Sequence, residues 1–115
     1  MENKQLEKLL MTVGLAARAR RIVFGTDRVC ESLRDVKDPT VLVIEARDTS
    51  DNTHKKLTDK CKYYGVKLVR IEANTEELGH AVGKTSATAA VGITDSGIAK
   101  AICKKLEEAS GKPKM

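Results

Sequence analysis

The segment GHAVGKT, residues 79–85, comes nearest to a motif with a chemistry of its own. A phosphate-binding P-loop requires four residues between its two glycines, whereas Gly79 and Gly83 are separated by three. Leu78 stands where the first glycine is needed, and the segment follows a predicted helix instead of a strand. The spacing therefore predicts no nucleotide site.

Histidine and cysteine are the other residue types that could mark a site. The sequence contains His54, His80, Cys30, Cys61 and Cys103, none of them at zinc-ligand or redox-pair spacing. We predict no metal, no cofactor, and cysteines that pack as small core residues in a reducing compartment. No nucleophile motif is present, so no catalytic residue is predicted. An enzyme acting on RNA or a small ligand stays an alternative, because catalytic residues can converge from distant positions.

The charge balance favours an acidic partner. The 115-residue chain has a formal net charge of +5 and a pI of about 9.2, and clustered cations attract nucleic acid. A solubilising surface explains this charge equally well. Only Phe24, Tyr63 and Tyr64 are aromatic, which argues against stacking on single strands and predicts that any bound nucleic acid is folded. No apolar run approaches the roughly 18 residues of a membrane span, so we expect a cytoplasmic protein without a membrane partner.

Hydrophobic periodicity and capping residues predict helices that alternate with strands. The predicted helices cover residues 3–18, 26–36, 51–64, 74–83 and 95–106, and the predicted strands cover 22–24, 41–46, 66–71 and 88–94. Thr26 and Asp27 are the predicted N-cap residues of the second helix. This alternation predicts an α/β protein, a three-layer α/β/α sandwich. We expect one domain over residues 1–109, followed by a flexible basic tail, 110–115.

Two segments could bind an anion. The first is a run of arginines that leads through a short predicted strand to the start of the second helix (Arg18, Arg20 and Arg21, then Gly25 and Thr26). A helix start favours phosphate, and guanidinium groups would add to that attraction, although solvated arginines beside an ordinary cap are at least as good an explanation. The second segment is GKTSATAA, residues 83–90, whose small side chains permit close approach by RNA. An ordinary helix-to-strand turn explains it as well.

Four stretches carry a family resemblance in combination. They are LLMTVGLAARARRIVFGTD (9–27), VLVIEARDTSDNTHKKLTDKCKYYGV (41–66), ELGHAVGK (77–84) and AAVGITDSGIAKAI (89–102). Together they resemble the ribosomal-protein family of kink-turn RNA binders, the L7Ae and L30e group, including its bacterial YlxQ-type members. The resemblance implies an L30e-like sandwich with a mixed four-stranded sheet that binds RNA at a sharp internal bend. It places the RNA contacts on Gly25 through Glu31, on the turn around Arg47, and on Lys84, Thr85, Ser86 and Ala87.

The chain departs from that family at the residues that read the RNA. The family pattern is glycine, threonine, asparagine, glutamate, two variable residues and lysine, whereas this chain has Gly25, Thr26, Asp27, Arg28, Val29, Cys30 and Glu31. A guanine edge presents the acceptors O6 and N7, which the carboxylates of Asp27 and Glu31 repel. Arg28 would either supply a compensating donor or pair with Glu31 one turn along the helix.

Our leading hypothesis from the sequence is a non-catalytic, monomeric protein that binds ribosomal or other structured RNA. Proteins of a ribonucleoprotein particle are possible further partners. The residues expected to hold the RNA backbone are Arg20, Arg21, Thr26, Arg28 and Lys84, with Gly25 permitting close approach. The alternative is a protein-interaction module on the same fold that has lost kink-turn binding. The carboxylates of Asp27 and Glu31 on the second predicted helix favour this alternative.

Overall fold

The computed structural model of the protein describes residues 3–110, over which helices and strands alternate as the sequence predicts. The helices are α1 (Asn3–Arg18), α2 (Thr26–Leu33), α3 (Asp51–Tyr64), α4 (Thr75–Ala81) and α5 (Ser96–Ser110). The strands are β1 (Ile22–Phe24), β2 (Leu42–Glu45), β3 (Lys67–Arg70) and β4 (Ala90–Ile93). The predicted tail, residues 110–115, lies outside the described residues except for Ser110.

Local capping explains where several helices begin. At α4 the Asn74 side chain accepts from the Glu77 backbone N–H at 2.8 Å, and the Glu77 carboxylate accepts from the Asn74 backbone N–H at 2.9 Å. This capping box satisfies two amide groups that would otherwise lack partners. At α3 the Ser50 hydroxyl accepts from the Thr53 backbone N–H. Both starts lie within one residue of the predicted ones.

The second helix differs from two predictions, one about its N-cap and one about its end. Its N-cap is Gly25, and no side chain caps it, so Thr26 and Asp27 are helical residues rather than caps. The helix also ends at Leu33, not Val36, and Val36 is 96% exposed. The chain leaves the helix early because Asp35 accepts hydrogen bonds from the backbone N–H groups of Lys37 and Asp38, which forms a turn.

The four strands form one mixed sheet, as the family resemblance implied, and their order in it is β1-β4-β2-β3. β2 and β3 are parallel, whereas β4 runs antiparallel to both β1 and β2. The carboxyl ends of β1, β2 and β3 therefore meet the start of β4 at the same edge of the sheet. We call this the candidate edge.

The core has two halves because side chains alternate across the sheet. Leu42 and Ile44 of β2 face a cluster built with α1, α4 and α5, while Val43 faces a smaller cluster built with α2 and α3. Helices on both faces confirm the α/β/α sandwich, and β2 is buried along its whole length.

Candidate nucleic-acid interface

Backbone hydrogen bonds bring three of the predicted RNA-contacting segments together at the candidate edge. The N–H of Gly25 donates to the carbonyl of Ala90 at 3.0 Å, immediately after β1 ends. Next to it, the N–H of Ala46 donates to the carbonyl of Ala89 at 2.9 Å, which places Arg47 beside the start of β4. The helix start, the Arg47 turn and the loop 84–87 are thus neighbours.

The start of α2 is open to a ligand. Gly25 has φ 88° and ψ 149°, a conformation that side-chain-bearing residues rarely adopt. A Cβ on this residue would meet no heavy atom within 4 Å, so backbone geometry, not crowding, is what requires glycine. No side chain caps this helix, so its first backbone N–H groups have no side-chain acceptor. These N–H groups favour the binding of an anion.

The loop of Lys84, Thr85, Ser86 and Ala87 is exposed but held at both ends. At one end, the N–H of Lys84 donates to the Gly79 carbonyl, and at the other the N–H of Thr88 donates to the Thr75 carbonyl, both at 2.9 Å. The Lys84 ammonium lies 4.2 Å from the centre of the Phe24 ring, a cation–π contact that places a positive charge at the end of β1. Together with Glu76 and His80, the loop lines a cleft of about 600 Å³.

A buried carboxylate anchors the turn that carries Arg47. Glu45 is fully buried at the end of β2, where its carboxylate accepts from the Thr49 hydroxyl and lies 2.8 Å from His54 Nδ1. Arg70 Nε lies 3.9 Å from the same carboxylate. This cluster was not predicted, although a single charged residue within the apolar stretch VLVIEA is a visible signal of a buried, paired group. His54 is thereby held against the buried carboxylate.

An ion pair between α2 and α3 occupies the position where the family pattern has asparagine. Lys56 Nζ lies 2.7 Å from Asp27 Oδ1, across 29 residues of sequence. The hydrogen bond from Lys56, and then its charge, hold the pKa of Asp27 below its ordinary value, while Asp27 raises the pKa of Lys56. Both groups stay charged at neutral pH, so a positive donor accompanies the carboxylate. Lys56 was not predicted, because nothing local in the sequence relates it to Asp27.

The other charged residues of α2 are exposed at this surface. Arg28 forms no ion pair with Glu31 or with any other residue that the structure describes, so the predicted pairing along the helix is not formed. Glu31 lines a cleft of about 320 Å³ between α2 and α3, together with Asp27, Lys56 and Lys60. Thr26 is partly buried at the helix start.

Arg20 and Arg21 lie at the opposite end of β1, which corrects the expectation that they flank the start of α2. Arg21 Nη2 donates to Asp38 Oδ1 at 3.2 Å and to the Thr94 carbonyl at 3.3 Å. Ile22 pairs with Ile93, the last residue of β4, so the residues before β1 lie at the far edge of the sheet. A strand of three residues separates the two ends by about 10 Å. Arg18 instead shares a cleft of about 410 Å³ with Gly83, beside the Lys84 loop.

Other kinds of site find no support in the part of the chain that the structure describes. Within residues 3–110, no group of three histidine, cysteine, aspartate or glutamate side chains is placed to hold a metal ion. Cys30, Cys61 and Cys103 are free thiols. No helix within this range is both long and apolar enough to cross a membrane.

Comparisons with known proteins agree with the fold. The model of the Ribosomal protein L7Ae/L30e/S12e/Gadd45 family matches residues 7–103. A protein of Bacillus subtilis named RNA-binding protein YlxQ is 41% identical over 95 residues, covering 83% of this chain and 91% of that protein. A protein of the same name from Enterococcus faecium is 33% identical over 100 residues, covering 87% and 92% of the two chains.

Two solved structures have the same architecture. A protein of unknown function from Bacillus halodurans superposes with a TM-score of 0.79 at 32% identity, covering 87% of this chain and 97% of that one. The Giardia lamblia 15.5kD RNA binding protein superposes with a TM-score of 0.73, covering 96% and 92%, and its 21% identity supports a shared fold.

Proposed function

The chain belongs to the Ribosomal protein L7Ae/L30e/S12e/Gadd45 family, and on that premise we propose that it binds structured RNA, without catalysing a reaction, at the candidate edge. The proposed contact residues are Gly25, Thr26, Asp27, Arg28, Glu31, Arg47, Lys84, Thr85, Ser86 and Ala87, with Lys56 added from the structure. The observation that carries the proposal is the meeting of an uncapped helix start with two cation-bearing turns at one edge. The names of two relatives, both RNA-binding proteins, support the same ligand class.

Each part of this surface has a distinct role in the proposal. Phosphate oxygens accept hydrogen bonds from the first amide groups of α2, where the helix dipole also attracts them. The Lys84 ammonium and the exposed guanidinium groups of Arg28 and Arg47 neutralise further phosphates, which makes the affinity fall as salt concentration rises. The small side chains of loop 84–87 leave room for an RNA strand to lie close to the backbone.

Bent or bulged RNA, such as a kink-turn, is the finer proposal. The helix start and the loop 84–87 are separate turns at one edge, and an RNA that changes direction can present backbone to both. At the asparagine position of the family pattern, the Lys56 ammonium supplies the hydrogen-bond donor that the Asp27 carboxylate lacks. A guanine edge, which carries only acceptors at O6 and N7, fits this ammonium.

A second candidate function is a protein-interaction module that has lost kink-turn recognition. The exposed carboxylates of Asp27 and Glu31 favour it, because negative charge at this surface repels RNA. Of these two carboxylates, only Asp27 forms an ion pair with a lysine that the structure describes, so Glu31 is the stronger argument for this alternative.

A gel-shift series tests both candidates. A standard kink-turn RNA is compared with the same RNA after its bend is removed, using wild-type protein, Lys56→Ala and Lys55→Ala. Lys55 is the matched control, since it pairs with Asp59 along α3 at 2.8 Å instead of with a residue of α2. We expect wild type to prefer the bent RNA, Lys56→Ala to weaken binding about tenfold, and Lys55→Ala to bind as wild type does.

The variant Asp27→Asn/Glu31→Lys separates the two candidate functions. If it creates bend-specific binding that wild type lacks, the natural protein has given up the kink-turn and the second candidate is favoured. Equal, negligible binding of wild type to bent, duplex and single-stranded RNA at low salt would remove the RNA proposal altogether.

A further inference from the structure

An apolar groove lies at the edge of the sheet opposite the candidate edge. Its wall is one face of α5, and its other side is formed where β2 and β3 begin. The groove has a volume of about 520 Å³. The floor consists of Leu42, Ala99 and Cys103, with Val41 beside them, 38% exposed. The groove shares no residue with the surface proposed for RNA.

Three lysines surround this floor. Lys100 and Lys104 are one helical turn apart on α5, so both side chains border the same stretch of the groove. Lys67 closes the opposite side, because it begins β3 and pairs in register with Leu42. None of the three forms an ion pair with another residue that the structure describes. Glu107 is the one carboxylate among the lining residues.

We propose that this groove, the α5 groove, docks an acidic protein segment that inserts an apolar side chain between Lys67, Lys100 and Lys104. Lysine stems can lie along apolar surface while their ammonium groups remain in water, so the rim holds carboxylates while the floor holds a leucine-like side chain. The charge pattern is complementary to a segment with carboxylates on both sides of one apolar residue.

The floor favours a protein segment over RNA. Leu42, Ala99 and the thiol of Cys103 offer no strong hydrogen-bond donor to a base or a phosphate. Single-stranded RNA is usually bound by stacking on aromatic side chains, and the three aromatic residues of this chain lie outside the groove. The proposal does not depend on RNA binding, and both ligands can be bound at once because the two surfaces lie at opposite edges.

Amide chemical-shift mapping of the ¹⁵N-labelled full chain tests the proposal with defined probes. The first probe is the blocked peptide Glu-Glu-Leu-Glu-Glu, and the second is Glu-Glu-Ser-Glu-Glu, which has the same charge without the apolar side chain. We expect saturable shifts at the amides of Leu42, Lys67 and Cys103 with the leucine peptide. The serine peptide should bind about tenfold more weakly, since the floor then buries no apolar surface.

Charge reversal on α5 supplies the matched comparison. Lys100→Glu/Lys104→Glu should weaken the leucine peptide about tenfold or more, because two attractions become repulsions. Lys4→Glu/Lys8→Glu makes the same change at the same spacing on exposed positions of α1 and should leave the affinity nearly unchanged.

Four results would overturn the proposal: no saturable shift with the leucine peptide, equal binding of the serine peptide, an equal loss in the α1 variant, or stronger shifts at the same amides with a hexauridine RNA. The last result would assign the groove to RNA. A loss of folding in the α5 variant would be visible as a collapse of its amide spectrum, in which case Lys67→Glu is compared with Lys8→Glu by the same criteria.

Discussion

Adding a single methyl group at Gly79 should displace the loop that carries Lys84. Gly79 is buried in α4, and a Cβ built on it would lie 2.3 Å from the backbone oxygen of Ser86 and 3.3 Å from Thr88 Oγ1. Since contacts of 3.4 Å or more are ordinary, the Ser86 backbone must move by about an ångström in Gly79→Ala. A backbone atom cannot rotate away as a side-chain end can, so the loop 84–87 itself has to shift.

Two opposing effects set the size of the change in stability. Overpacking of a close-packed site costs about 1–3 kcal/mol, whereas replacing glycine by alanine inside a helix stabilises by about 1 kcal/mol. The steric cost is larger here because the neighbour is backbone, and we expect a net loss of about 1 kcal/mol in the free energy of unfolding. For a chain of this size the loss corresponds to a fall in Tm of about 4 °C.

Differential scanning calorimetry checks this value against a matched glycine. Gly97 is exposed in the first turn of α5, and its Cβ would approach only the Asp95 side chain, at 3.1 Å. Gly97→Ala should therefore leave Tm unchanged or raise it slightly. The RNA affinity should fall in Gly79→Ala and persist in Gly97→Ala. If Gly79→Ala were as stable as the wild type, the tight packing of α4 against Ser86, and with it this reasoning, would be wrong.

Three further predictions concern single residues. Glu45→Gln should lower the free energy of unfolding by about 1–2 kcal/mol in urea denaturation, because an amide has only one acceptor oxygen for the hydrogen bonds that this buried side chain makes with Thr49 and His54, and an unchanged midpoint would contradict this. Burial raises the pKa of Cys61 from 9.0 to about 11, so the unfolded chain loses this thiol proton first and stability should fall as pH rises from 9 to 11. Cys61→Val should lack that part of the decrease, and equal slopes for the two proteins would refute the assignment. Asn74→Ala removes half of the capping box with Glu77 and should cost about 1 kcal/mol, measured as a shift of the urea midpoint at constant m-value.

The elements of this fold were predictable because their signals are local. Apolar spacing along α1 and α5, the capping residue Asn74 and the C-terminal Gly65 of α3 each act within a few residues of sequence. The four strand positions follow from short apolar runs between polar turns. The ends of β1 are as predicted, and those of the other three strands differ from prediction by one or two residues, as element boundaries commonly do.

The helix α2 shows where local signals fail. Thr26 and Asp27 have the chemistry of N-cap residues, yet β1 pairs with β4 up to Phe24, and Gly25 itself donates to Ala90. The chain must then turn sharply into the helix, and the positive φ of Gly25 makes that turn. Sheet pairing thus determined the cap, and it left the helix start open at the candidate edge.

By itself, the sequence determined the order of helices and strands, the two-sided burial of β2 and the small, polar character of the loop 84–87. Only the tertiary structure decided which charges become neighbours. It separated Arg21 from the start of α2, paired Lys56 with Asp27, and placed His54 beside the buried Glu45. The physical reason is that periodicity and capping depend on neighbours in sequence, whereas ion pairs depend on strand order and on which helix covers which face of the sheet.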